Sequence, residues 1–210
     1  MTPAPDPALR SRSRRWAIWI HAPLVGLIAA AVVVAEVAGI PFVVFTRDVF
    51  STAEVPVYTG LLSNVGILLW AAGVAICLFV RVAGSRADAG GFLLVSALLT
   101  AVLLVDDLFM LHEWVIPRVL GIPEEAVLTG YAAAAIAYAA AYRARIRARA
   151  PLVFTGAIAL LAGSLFLDLL ESPPAPMWHV LSEEGLKLLG IGTWLLFLAG
   201  AASEPRERLP

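Results

Sequence analysis

Apolar residues along this chain gather into six long runs, separated by short polar or charged connections. The runs cover residues 16–40, 58–82, 91–114, 126–142, 152–170 and 181–201. A helix that crosses the hydrocarbon of a bilayer needs about 20 predominantly apolar residues, and each run falls near that length. No run sustains the period-two alternation of a membrane β-strand. Backbone groups in lipid must also find their hydrogen bonds within their own segment. The pattern therefore predicts an all-α integral membrane protein with six transmembrane helices in one bundle. The fourth run is mostly alanine, and small side chains let helices approach closely, which predicts a central position for it. The connection 41–57 is the longest, and is expected to carry a short helix or to lie along the interface. The segments 1–15 and 203–210 read as mobile tails.

Composition agrees with this class. Hydrophobic residues make up 60% of the 210 and charged residues 15%, against roughly 45–50% and 25% in a soluble domain. Mean hydropathy is +0.87. A soluble fold, a disordered chain, a nucleic-acid-binding protein and a disulfide-stapled scaffold are excluded on these grounds. The single cysteine, Cys77, lies inside an apolar run and carries no redox information. The first run could pass for a secretory signal, because Ala35-Glu36-Val37-Ala38 imitates a cleavage site. Apolar character resumes through 39–45 and five more runs follow, so it reads as an uncleaved anchor.

Basic residues then orient the bundle. Arg10, Arg12, Arg14 and Arg15 precede the first run, and Arg81 and Arg86 follow the second. Arg143, Arg145, Arg147 and Arg149 follow the fourth, and Arg206 and Arg208 follow the sixth. Twelve of the 15 basic residues thus share one side. By the positive-inside rule both termini are cytoplasmic, in a plasma (inner) membrane of bacterial type. The lipid bilayer is the expected partner, homo-oligomerisation is compatible with the pattern, and nucleic acid is not a partner.

Ionisable groups deep in a bilayer are costly and mark function. Here they recur. The third run ends in Asp106, Asp107, His112 and Glu113, and the fifth ends in Asp168 and Glu171. The sixth begins with His179, Glu183, Glu184 and Lys187, while Glu36 and Asn64 are polar residues of the first two runs. With the topology above, all of these fall in the outer half, and His21 alone stands near the cytoplasmic face. At about 100° per residue, Asp106 and Glu113 should share a helix face, with Asp107 about 100° to one side and His112 about 120° to the other. Glu183 and Glu184 should both reach Lys187, and Ser182 should cap the helix start.

Carboxylates and neutral imidazoles are ligands for zinc, iron or manganese. Asp106, His112, Glu113, Asp168, Glu171 and His179 are accordingly the expected ligands of a divalent metal. Glu183 or Glu184 is the expected general base, with Lys187 tuning it. The string Glu183-Glu184-Gly185-Leu186-Lys187 locally resembles the first motif of the PrsW-type and CAAX-type membrane proteases. The likeness covers five residues, and the later histidine motifs of those families have no counterpart here. It implies a water-activating role for the glutamates without assigning the family. The expected function is an outward-facing metal site, with metal-assisted hydrolysis of a lipid-like or membrane-embedded substrate. A proton- or cation-coupled transporter using the same acids is the alternative, and a non-catalytic membrane subunit is another.

Overall fold

The computed structural model describes residues 7–47, 52–83, 91–170 and 176–203. Every regular element among them is helical. The chain divides into two compact units, Met1–Thr59 and Gly60–Pro210.

The first unit holds α1 (Pro7–Ala38), followed by a short 3-10 turn at Phe42–Phe45. The arginine-bearing segment expected as a mobile tail is helical from Pro7 onward. Nothing between Pro7 and Trp16 breaks the helical turn, and proline is favoured at a helix start. The helix stops at Gly39, whose φ of 65° needs no Cβ, and the Ile40 N–H bonds the Ala35 carbonyl to close the end.

The second unit contains α2 (Leu61–Val82), α3 (Phe92–Phe109), a π-helical turn (Leu111–Val115) and α4 (Ile116–Leu120). After these come α5 (Glu124–Ala141), α6 (Arg143–Arg149), α7 (Pro151–Asp168) and α8 (Met177–Ala202). Five helices, including α1, are long and apolar enough to cross a membrane. The helix α5 is not among them, because Glu124 and Glu125 in its first turn and its run of alanines lower its apolarity.

Side-chain contacts fix the helix directions. Gly66 and Gly73 of α2 face Ile191 and Leu198 of α8, so these two helices run parallel. Lys187 and Trp194 of α8 meet Asp107 and Thr100 of α3, so that pair is antiparallel. Leu161 and Gly163 of α7 meet Gly190 and Leu186 of α8, again antiparallel. Tyr131 and Tyr138 of α5 bond Asp106 and Ser96 of α3, antiparallel as well. Hence α2, α5 and α8 run one way and α3 and α7 the other. The C-terminal ends of α3 and α7 lie at the same end as the N-terminal ends of α2, α5 and α8.

Close approach explains the glycines at these crossings. A Cβ on Gly190 would stand 2.8 Å from Leu161 Cγ and 3.0 Å from the Leu161 backbone nitrogen. Small residues allow dispersion contacts along the backbone where lipid supplies no hydrophobic drive. An aromatic core joins Phe92, Tyr138, Phe154, Trp194 and Phe197, with Trp70 of the same buried cluster reaching toward Asp107. Its polar atoms are satisfied. The Trp194 indole donates to Thr100 Oγ1 at 3.0 Å, and the Tyr138 hydroxyl meets Ser96 Oγ at 2.8 Å.

The alanine-rich helix is not central. Close main-chain approach joins α2 to α3, α2 to α8 and α7 to α8, whereas α5 has no such neighbour among them, and only Leu128 and Tyr138 are buried on it. Small side chains permit close packing but do not compel it. Here the short side chains of Ala132 and Ala135 leave a space instead.

Candidate functional site

The site begins where α3 ends. Met110 takes up a left-handed conformation at φ 50°, ψ 49°, with its N–H on the Asp106 carbonyl. This is a costly backbone state for a residue with a Cβ. The chain then turns through the π-helical segment, in which the Trp114 and Val115 N–H groups both reach the Met110 carbonyl. The dislocation carries His112 back over the helix end. Its backbone N–H donates to Asp106 Oδ1 at 3.0 Å, and its ring Nδ1 makes a short bond to Asp106 Oδ2. From α5 the Tyr131 hydroxyl donates to Asp106 Oδ1 at 2.7 Å. One buried carboxylate thus collects three donors, which is how a buried charge is tolerated.

An ionised carboxylate only accepts hydrogen bonds, so Nδ1 of His112 carries a proton, and in the neutral imidazole the lone pair is then on Nε2. His112 is buried, and its Nε2 stands 3.5 Å from Oε1 of the more exposed Glu113. Packing of Tyr131 edge-on to the imidazole, with ring centroids 6.4 Å apart, holds the ring plane.

The neighbouring Asp107 faces the other way. Its Oδ1 meets Lys187 Nζ at 2.9 Å, and its Oδ2 accepts the Trp70 indole N–H at 2.8 Å. Three helices, α2, α3 and α8, are therefore tied at one carboxylate.

Between α3, α5, α7 and α8 lies a cavity of about 370 Å³. Asp106, Asp107, His112, Glu113, Tyr131, Asp168, Glu183, Glu184 and Lys187 contribute to its wall at the acidic end. Further from that end the wall is apolar, with Leu99, Leu103, Ile136, Ile158, Leu161 and Trp194. Ligand cavities typically span about 300–1,000 Å³, so this one has room for a single small or slender molecule.

Most residues singled out in the sequence gather here, but their pairings differ from expectation. The break at Met110 removes the common face expected for Asp106 and Glu113, and it is His112 that joins Asp106. Lys187 pairs with Asp107, and Glu183 and Glu184 line the same cavity. The helix α8 starts at Met177, so Ser182 is internal to it and donates to the Trp178 carbonyl instead of capping. The side chain of Ser182 cannot cap a helix that has already begun. Asp168 lines the cavity as the last residue of α7, and Glu171 lies outside the described residues.

The other residues singled out in the sequence lie elsewhere. His179 is buried against Trp178, with ring centroids 5.6 Å apart, and is not part of the cavity wall. Asn64 and Glu36, expected as buried polar groups, are exposed on their helices. Both sit on faces without a packed neighbour to bury them. Among the described residues no three His, Cys, Asp or Glu side chains form a group able to hold a metal ion.

Trp70 and Tyr131 were not anticipated. Each carries a donor that must find an acceptor once buried, and that rule was the available signal. Glu124, at the start of α5, was also missed. Burial, and then the negative charge of Asp168, raises its carboxyl pKa above the ordinary value.

The fold and its polar cavity thus define a helical protein with apolar helices of membrane-spanning length and one acid-rich internal site. The chain belongs to the family described as domain of unknown function (DUF8692), whose model matches residues 24–201. That match includes every residue of the cavity wall. No curated protein and no solved structure matches the chain.

Proposed function

We propose that the protein is a six-span integral membrane hydrolase with both termini cytoplasmic, acting on a lipid-like molecule held in the outward-facing cavity. The observation that carries this reading is the position of His112, buried at the wall of a 370 Å³ cavity with Nδ1 fixed by Asp106. An imidazole held in this way presents Nε2 as a general base, and the carboxylate behind it stabilises the imidazolium that forms. Water held at Nε2 adds through its oxygen to an acyl carbonyl carbon while its proton passes to Nε2. The imidazolium then returns that proton to the departing alcohol or amine as the C–O or C–N bond breaks. An acid and an alcohol or amine leave. Tyr131 keeps Asp106 in place, and Lys187 with Trp70 keeps the adjacent Asp107 turned away.

The alternation of helix direction in α2, α3, α5, α7 and α8 supports the six-span reading, as does the arginine asymmetry. Placement in a bacterial-type inner membrane rests on that asymmetry.

A second reading rests on the 3.5 Å between His112 Nε2 and Glu113 Oε1. Two ligands about 2.1 Å from a tetrahedral zinc stand roughly 3.4 Å apart. In that reading His112 and Glu113 are ligands of a divalent metal, and Asp168 in the same cavity wall is a further candidate.

The test is acid release from acyl esters and acyl amides of single-chain amphiphiles by the purified protein, with and without a chelator, alongside metal analysis. Release that survives chelation supports the His112 base. Release lost on chelation and regained with zinc, iron or manganese supports the metal reading. No release from any of them, with His112→Asn indistinguishable from the parent, sinks both.

A further inference from the structure

The wall of the cavity is strongly asymmetric in charge along its length. Its acidic end carries the carboxylates of Asp106, Asp107, Glu113, Asp168, Glu183 and Glu184 against the ammonium of Lys187. Asp107 is matched by Lys187, and Asp106 is saturated by its three donors. Even with Glu183 set aside and His112 counted as charged, Asp106, Asp107, Glu113, Asp168 and Glu184 outnumber the cations, so the wall is net negative. No arginine among the described residues lines it. The crowding extends to Glu124, whose carboxyl pKa is raised above the usual range by burial and by Asp168. Apart from the buried Ser164 hydroxyl, the rest of the wall is aliphatic and aromatic carbon, with the indole of Trp194 already donating to Thr100.

We infer that the occupant of the cavity is a single-chain amphiphile with a cationic, amine-type head, seated with the head among the carboxylates and the chain toward Ile136, Ile158 and Trp194. This rests on the cavity being the substrate site, as proposed above, and names its substrate class. An anionic head would meet like charge in a low-dielectric wall. A neutral head would leave the excess carboxylates without a counter-charge. An ammonium compensates them and donates several hydrogen bonds at once. The volume admits one slender chain and has no room for a second.

Binding can be measured apart from turnover. Dodecylammonium, dodecanol and dodecyl sulfate are titrated calorimetrically into the purified full-length protein in non-ionic detergent. Dodecylammonium should bind roughly tenfold more tightly than dodecanol, and dodecyl sulfate more weakly than either. Asp168→Asn and Glu184→Gln should each weaken dodecylammonium by about two- to fivefold and leave dodecanol unchanged. Ala135→Trp, which fills the space beside α5, should weaken both compounds alike. Equal affinity for ammonium and alcohol heads overturns the inference, as does preference for sulfate or binding untouched by Ala135→Trp. Ammonium preference without acid release leaves the inference standing and removes the hydrolase reading. Acid release without ammonium preference does the reverse.

Discussion

Asp106 and His112 are six residues apart, yet both the backbone N–H and the ring of His112 close on the one Asp106 carboxylate. An uninterrupted α-helix would hold them about 120° apart around its axis. Their meeting depends on the left-handed turn at Met110 and the π-helical residues that follow. Strain concentrated beside a polar cluster is a recurrent mark of a functional site.

If His112 is a base oriented by Asp106, His112→Asn and Asp106→Asn should each slow acid release by about 10²–10⁴-fold. Affinity for a non-hydrolysable amphiphile should be little changed. Paired measurement of turnover and binding separates this from a collapsed site, which would lose both.

Lys187 pairs with Asp107, and this makes a reversible prediction. Lys187→Met leaves a carboxylate without its charge partner. Breaking a buried pair costs roughly 3–5 kcal/mol. With the Lys187 and Asp107 side chains 28% and 11% exposed, the lower end of that range is expected. The double change Asp107→Asn with Lys187→Met should regain more than half of the loss in thermal unfolding. A second change at Glu184 in place of Asp107 should give no such rescue.

Met110 offers a test of backbone strain. A side chain in the left-handed region costs about 1–2 kcal/mol relative to glycine. Met110→Gly should therefore keep or raise stability, by no more than about 1 kcal/mol after its entropy cost. Met110→Val, with a β-branched side chain, should lower it and reduce turnover with it. Equal melting temperatures for all three proteins would show that the turn is not held in this conformation.

Topology is accessible to labelling in intact cells. Cys77 is fully buried and should stay silent. A cysteine placed at Thr46 should react with a membrane-impermeant thiol reagent, and one at Ser203 only after lysis. Reaction of both from the same side would end the six-span proposal.

Glu124 supplies a pH dependence of known sign. Its carboxyl pKa is raised in the folded protein by burial and by Asp168. The folded state thus holds this proton more tightly than the unfolded chain. The associated stability is present below the ordinary carboxylate pKa and is lost as pH rises through the raised value. Glu124→Gln should match the parent in acid and become the more stable protein as pH climbs toward neutrality. A difference between the two that is constant with pH would contradict the assignment.

Run length and apolarity pointed to the helices, because a helix satisfies its backbone polar groups within its own apolar run. The placement of Asp106, Asp168, Glu183 and Glu184 at one end also followed from sequence, since alternating helices carry residues at matched depths to the same side. Pairing within that end did not follow. It depended on one residue, Met110, leaving the helical region of φ and ψ, and no periodicity signals that event. The partner of Lys187 was equally hidden. Glu183 and Glu184 are neighbours along its own helix, but α3 packs close enough to offer Asp107 with the Trp70 indole already bonded to it. The cavity itself arose only in three dimensions, where the short alanine side chains of α5 leave space beside α3, α7 and α8.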